Sequence, residues 1–142
     1  VATGTRLHLI EPLGFQLTEK ALKRAGMDYW PQLDVTRYID YQDFLEKNPG
    51  AKVYMATTKG RRVYTEAAYE PDCFLMFGKE SAGIPEEILK EHPGEAIRIP
   101  MLGDTRSLNL SNAAAIVLYE ALRQNGFSQM KLHGELTRYS WD

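Results

Sequence analysis

The run Cys73-Phe74-Leu75-Met76-Phe77, followed at once by Gly78-Lys79-Glu80-Ser81-Ala82-Gly83-Ile84-Pro85, decides how this chain folds. Five consecutive apolar residues do not alternate with polar ones, so the segment is not a strand with one wet face. It suits a central parallel strand covered on both sides, and the glycine-flanked polar loop behind it ends the strand abruptly. Working outward, Leu7, Leu9 and Ile10 form a short strand stopped by Pro12 and Gly14. Residues 35–39 and 52–57 form two more, and residues 96–101 another. Helical patterns fall between them. Residues 18–26 start at Thr18 as N-cap and stop at Gly26, and Asp40 caps a helix through Lys47 that Asn48-Pro49-Gly50 ends. Residues 85–90 open with Pro85 and two acids at the positive end of the helix dipole. Residues 109–124 include Ala113, Ala114, Ala115, Ile116, Val117, Leu118, Ala121 and Leu122, which predicts a buried helix stopped by Gly126. Strands alternating with helices at this spacing predict one α/β domain over residues 1–142, a mostly parallel sheet with flanking helices.

The chain has 142 residues, 44% hydrophobic and 25% charged, with a net charge of -2. That charge excludes a polycation gripping nucleic acid nonspecifically, so any RNA contact must be local. The densest acid-free group of cations is Lys52, Lys59, Arg61 and Arg62, with no acid after Lys52 until Glu66. A solvated turn is the plain alternative. No apolar stretch reaches the roughly 20 residues a membrane helix needs, and no secretory leader opens the sequence. The single cysteine, Cys73, reads as a buried core thiol. His8, His92 and His133 lack metal-ligand spacing, so no metal site is expected. His8 reads as a packed or edge residue, and His92 as a partner of a helix C-terminus.

Ligands of open α/β sheets bind outside the carboxyl ends of the strands, which selects three loops. They follow Thr57, Phe77 and Pro100. Gly78-Lys79 is no phosphate loop, because Cys73 stands where the first glycine is needed and Glu80 follows the lysine. Lys79-Glu80-Ser81-Ala82-Gly83 lacks the first glycine of a nucleophile elbow. Ser107, Asn109, Ser111 and Asn112 crowd the mouth of the last helix, where one cap would suffice, so capping and ligand binding both stand as readings.

The segments 77–85, Ile97-Arg98-Ile99-Pro100-Met101 and Arg106-Ser107-Leu108-Asn109-Leu110-Ser111-Asn112-Ala113 closely resemble the hallmark motifs of SPOUT-superfamily RNA methyltransferases. Leu9-Ile10-Glu11-Pro12-Leu13-Gly14-Phe15, Leu22-Lys23-Arg24-Ala25-Gly26 and Thr57-Thr58-Lys59-Gly60 resemble the TrmL/YibK subfamily, which methylates the ribose 2'-hydroxyl of the tRNA wobble cytidine or uridine.

The resemblance implies a SPOUT-like C-terminal trefoil knot, S-adenosyl-L-methionine as cofactor, tRNA bound at its anticodon stem-loop, a homodimer and a cytoplasmic setting. Carried over by motif, it assigns Ala56, Thr57, Gly78, Ile99, Met101, Ser107 and Leu108 to the cofactor. Glu80, Ser107 and Asn109 are the candidates for the reaction, Ser107 and Asn109 holding the cofactor or ribose and Glu80 orienting an arginine. Local charge and the position directly after the third strand point Lys59, Arg61 and Arg62 toward RNA, with Arg106, and Lys20, Lys23, Arg24, Lys131 and Arg138 are the fallback cations. The family's first strand and its Asn-Thr-Gly-Asn loop, leading to an Arg implicated in activating the hydroxyl, are absent from these residues. The rival expectation is a noncatalytic RNA- or nucleotide-binding module that retains the pocket.

Overall fold

The computed structural model describes residues 2–11, 34–79, 82–103 and 108–142. The helix expected over 18–26, with Lys20, Lys23 and Arg24, lies outside the described residues. So do Glu80, Ser81, Arg106 and Ser107.

Strand β1 (Leu7–Ile10) pairs in parallel with β2 (Val35–Tyr38), Leu7 opposite Val35. Helix α1 (Tyr41–Lys47) begins where the Asp40 carboxylate accepts the Asp43 amide at 2.8 Å, the cap the sequence predicts. A second, four-stranded parallel sheet has the order β4-β6-β3-β5, made of β3 (Val53–Ala56), β4 (Arg62–Val63), β5 (Phe74–Phe77) and β6 (Ala96–Arg98). A 3-10 turn (Tyr64–Glu66) follows β4. The short α2 (Glu86–Leu89) precedes β6, and α3 (Leu110–Gln124) follows it. Among the described residues no helix is long and apolar enough to cross a membrane.

Side chains alternate across each strand and build a core on each face. Val53 and Met55 of β3 join Tyr38, Phe44, Ile84 and Leu89 on one side, with Phe74 and Met76 of β5 packed against them. Tyr54 joins Ala67, Tyr69, Ile97, Val117 and Ala121 on the other, with Leu75 and Phe77. The run 73–77 thus packs against a core on each face, as its composition predicts, although each of its residues stays only partly buried. Its position in the sheet differs from the expectation: among the described residues β5 is the terminal strand, and β3 and β6 are interior. An apolar run reports covered faces and is silent about hydrogen-bonded edges.

Three further expectations change. The cationic segment around Arg62 contributes strand β4. Strand β6 ends at Arg98, short of the expected 101; Pro100 has no N–H to extend the ladder. Helix α3, expected to be buried, buries Val117, Glu120 and Ala121, while Ala115 and Tyr119 face solvent.

One connection departs from the usual rules. β3 and β4 are consecutive in the chain, yet β6 lies between them. Residues 57–61 therefore cross β6, whereas connections ordinarily avoid such crossings. At Gly60 a Cβ would stand 2.8 Å from the Ile97 carbonyl carbon, so only glycine passes there without displacing β6.

Candidate functional site

In the parallel sheet the carboxyl ends of β3, β5 and β6 lie together. Ala56 is paired with Phe77 on one side and Ile97 on the other, so Thr57, Gly78 and Ile99 follow at one end of three adjacent strands. Helix α3 runs back the other way. Its Gln124 end meets Ala67 and Tyr69 ahead of β5, which carries its Asn109 end toward the same carboxyl ends. The fold thus brings Ala56, Thr57, Gly78 and Ile99 to one end of the sheet and directs the Leu108–Asn109 end of α3 toward that end.

The first loop is held tightly. The Thr57 amide donates to the Ile97 carbonyl at 2.9 Å, the Gly60 amide to the Thr57 carbonyl at 3.2 Å, and the Lys59 amide to the Thr57 hydroxyl at 3.1 Å. The Arg98 guanidinium donates to the Thr58 carbonyl at 2.7 Å, tying β6 to the loop crossing it. Sequence reasoning passed over Arg98; its signal is a lone cation in the otherwise apolar Ile97-Arg98-Ile99.

The second loop explains its glycines without a ligand. A Cβ on Gly78 would stand 2.1 Å from the Gly83 carbonyl carbon and 2.2 Å from the Ile84 nitrogen. Gly83 has φ +69° and donates its amide to the Lys79 carbonyl at 2.8 Å. The turn thus folds back onto its own strand end, and glycine at 78 is required by the chain itself.

In the third loop Ile99 and Met101 are half-buried, Ile99 against the core, while Leu102 is fully exposed. Leu108 is 38% exposed. Asn109 is the N-cap of α3: its carboxamide oxygen accepts from the Ser111 amide at 2.9 Å and the Ser111 hydroxyl at 2.6 Å. The polar crowd at this helix mouth therefore includes a capping pair, and the amide nitrogen of Asn109 has no partner among the described residues.

The cationic cluster divides. Arg62 donates to the carbonyls of Gly94 and Glu66 at 2.8 and 3.1 Å, fastening two turns. Lys59 pairs with Glu86 at 3.0 Å, both largely exposed, and Lys52 pairs with Glu95 at 2.7 Å. Arg61 is exposed and forms no ion pair among the described residues.

The remaining titratable groups serve structure. Cys73 is partly buried against the core, and burial first, then Glu70 and Asp72, push its thiol to about 11, so it is no thiolate at neutral pH. His8 packs against Tyr38, Phe44 and Phe74, and its Nδ1 shares a 2.8 Å hydrogen bond with the Tyr38 hydroxyl. Among the described residues no group of His, Cys, Asp or Glu has the makings of a metal site. An open cleft of about 440 Å³, lined by Asn48, Lys52, Glu70, Asp72 and Phe74, lies at the other, amino end of β3 and β5.

The model of the SpoU rRNA Methylase family matches residues 1–119 of the chain. The chain belongs to the SpoU methylase family. Its relatives include the tRNA (cytidine(34)-2'-O)-methyltransferase of Escherichia coli K12, 48% identical over 126 residues, which span 88% of this chain and 80% of that one. A solved structure concerned with 2-OH methylation of C/U34 on tRNA is 45% identical, with TM-score 0.79, over 87% of this chain and 81% of the other. An AdoMet-bound rRNA methyltransferase from Sinorhizobium meliloti is 29% identical, with TM-score 0.68, over 83% of this chain and 45% of the other. For a SpoU methylase, the three strand-end loops are the segments that the sequence resemblance singled out.

Proposed function

We propose that this SpoU methylase transfers a methyl group from S-adenosylmethionine to the ribose 2'-hydroxyl of the tRNA wobble nucleotide, cytidine or uridine. The observation that carries the reading is the 48% identity to the Escherichia coli enzyme across nearly nine-tenths of the chain, combined with the meeting of the three motif loops at one end of the sheet.

The residues present fit the cofactor. Ile99, Met101 and Leu108 leave apolar surface partly open beside the strand ends, suited to an adenine ring and a thioether. Ala56 adds little bulk there, and Gly78 lets the turn fold back onto Gly83 and Ile84, which shapes the edge of the pocket. Ala56, Thr57, Gly78, Ile99, Met101 and Leu108 would hold the cofactor, with Ser107 as a further candidate. When bound, S-adenosylmethionine supplies an electrophilic methyl on a sulfonium.

The chain's own task is placement. A ribose hydroxyl is a weak nucleophile at neutral pH, and holding it in line with the methyl contributes up to about 7–11 kcal/mol in favourable systems. Asn109, whose carboxamide oxygen is fixed by Ser111, directs its amide N–H toward the ribose, with Ser107 as second hydrogen-bonding group and Glu80 orienting an arginine. Arg61 and Lys59 contact phosphates of the anticodon stem-loop, with Arg106 as a further cation, while Arg62 fastens the turns at Gly94 and Glu66.

Two further parts belong to the reading. The crossing of β6 by residues 57–61 is the first half of the knot, which α3 completes. The exposed Ala115 and Tyr119 of α3, with Leu108, form the face of a cytoplasmic homodimer. Light scattering then reports about 32 kDa, twice 16.2 kDa; a value near 16 kDa overturns the dimer. Calorimetry with S-adenosylhomocysteine tests the pocket directly, and absence of binding overturns it.

A further inference from the structure

Helix α3 meets the sheet through small and smooth side chains, Val117 and Ala121 against Tyr54, Ala67, Tyr69 and Ile97. Such a contact sets how near the helix lies and does little to fix its position along its own axis, because apolar attraction is non-directional. The directional contacts are concentrated at the far end of the helix. The side-chain oxygen of Gln124 accepts the Tyr69 amide at 3.0 Å, and its nitrogen donates to the Ala67 carbonyl at 2.9 Å. The Asn125 side-chain nitrogen donates to the Tyr69 carbonyl at 3.0 Å. Two side-chain amides thus read the main chain of residues 67–69 much as a neighbouring strand would.

Both sides of this junction are themselves fixed. The Tyr54 hydroxyl, from β3, donates to the Ala68 carbonyl at 2.8 Å, and the Tyr69 hydroxyl donates to the Tyr64 carbonyl. On the helix, the buried Glu120 carboxylate receives Gln124 at 2.8 Å and Arg123 at 2.7 and 3.0 Å, which sets the orientation of the Gln124 amide. The arrangement locks α3 axially to β3. Some four helical turns away, about 22 Å along the axis, the same helix begins at Asn109. Leu108 and Asn109 therefore stand where this lock puts them.

We infer that Gln124, assisted by Asn125, is a positioning residue: it sets the register of α3 so that Leu108 and Asn109 meet the carboxyl ends of β3, β5 and β6. The inference rests on the cofactor reading above and adds a residue remote from the pocket that governs its geometry.

The test uses the full chain and S-adenosylhomocysteine as probe. Gln124→Met keeps volume and helix propensity while removing both bonds to residues 67–69. Its affinity is expected to fall about tenfold, with helix content unchanged by circular dichroism. Phe44→Leu, in the core on the other face, supplies a control of comparable stability loss, and its affinity is expected to stay within twofold of wild type. Gln124→Glu adds a readout that general destabilisation does not give. The introduced carboxyl still accepts from Tyr69, but when ionised it faces the Glu120 carboxylate and only when protonated can it donate to Ala67, so its affinity should recover as pH falls from 8 to 5, whereas the wild-type affinity should not. A Gln124→Met affinity within twofold of wild type, or losses equal to those of Phe44→Leu with no acid recovery in Gln124→Glu, overturns the inference. Failure of the wild-type chain to bind the probe overturns the cofactor reading instead.

Discussion

The two faces of the four-stranded sheet are made of different materials. On one, Phe44 and Tyr38 pack edge to face at 5.2 Å, Phe44 and Phe74 at 5.1 Å, and a small polar chain, His8 to Tyr38 to Asn48, runs among the rings. On the other, Ile97 and Val117 are fully buried but are surrounded by directional bonds from Tyr54, Tyr69, Gln124 and Asn125. Apolar packing contributes stability and tolerates small shifts; hydrogen bonds to main chain tolerate few. The aromatic face holds the domain together, and the bonded face fixes the helix that leads into the site. Stability and positioning are thereby separable by mutation.

The largest effect should come from the aromatic face. Phe44 is 3% exposed, and Phe44→Ala is expected to cost about 3–5 kcal/mol in urea unfolding. Cofactor affinity of the molecules still folded should be unchanged; a parallel loss of affinity would show that the two faces are not separable.

Glycine substitutions sharpen the contrast at the strand ends. Gly60→Ala forces a Cβ against the Ile97 carbonyl, and a cost of about 1–3 kcal/mol is expected, with loss of tRNA and cofactor binding together. Gly78→Ala should open the turn onto Gly83 and abolish cofactor binding through the chain's own backbone. Hydrogen exchange would show this as reduced protection of the Gly83 amide even without ligand, and retained protection would overturn the turn-closing role of Gly78.

How much of this was legible beforehand follows from what each signal reports. The run 73–77 gave covered faces, and alternation of helices and strands gave the parallel sheet, because both are face-burial patterns. The edge position of β5 and the insertion of β6 between β3 and β4 depend on strand order, which no local pattern carries. The cap at Asn109 was readable as chemistry, since Asn before a helix has a local reason to be there. The roles of Gln124 and Arg62 were not, because their partners, Ala67 and Gly94, lie 57 and 32 residues away in sequence. The cluster Lys59-Arg61-Arg62 looked uniform by charge, and only the fold separates the Arg62 brace from the exposed Arg61.

That division gives the next prediction. Arg61→Ala should flatten the slope of log tRNA affinity against log salt by about 0.7–0.9 for each phosphate that the arginine neutralises, leaving thermal stability alone. Arg62→Ala should instead lower the melting temperature. Equal effects of the two on the salt slope would contradict the assignment.

The smallest effect concerns the polar chain within the aromatic face. Burial, and then Arg6, hold the His8 imidazole below its ordinary 6.5, with Asp34 opposing. The unfolded chain then binds the proton more readily, so this contribution is complete above pH 6.5 and is lost as pH falls toward the lowered value. Wild type should lose stability between pH 7.5 and 5.5, and His8→Phe should show a shallower dependence. An unchanged pH dependence in His8→Phe would remove His8 from that role.

The central claim is tested most directly by incubating the protein with tRNA and S-adenosylmethionine carrying a labelled methyl, digesting the product and locating the label by mass spectrometry. The account predicts label on the ribose 2'-oxygen of the wobble cytidine or uridine and on no other nucleotide. Label on a base, or no label from a preparation that binds both S-adenosylhomocysteine and tRNA, would contradict it.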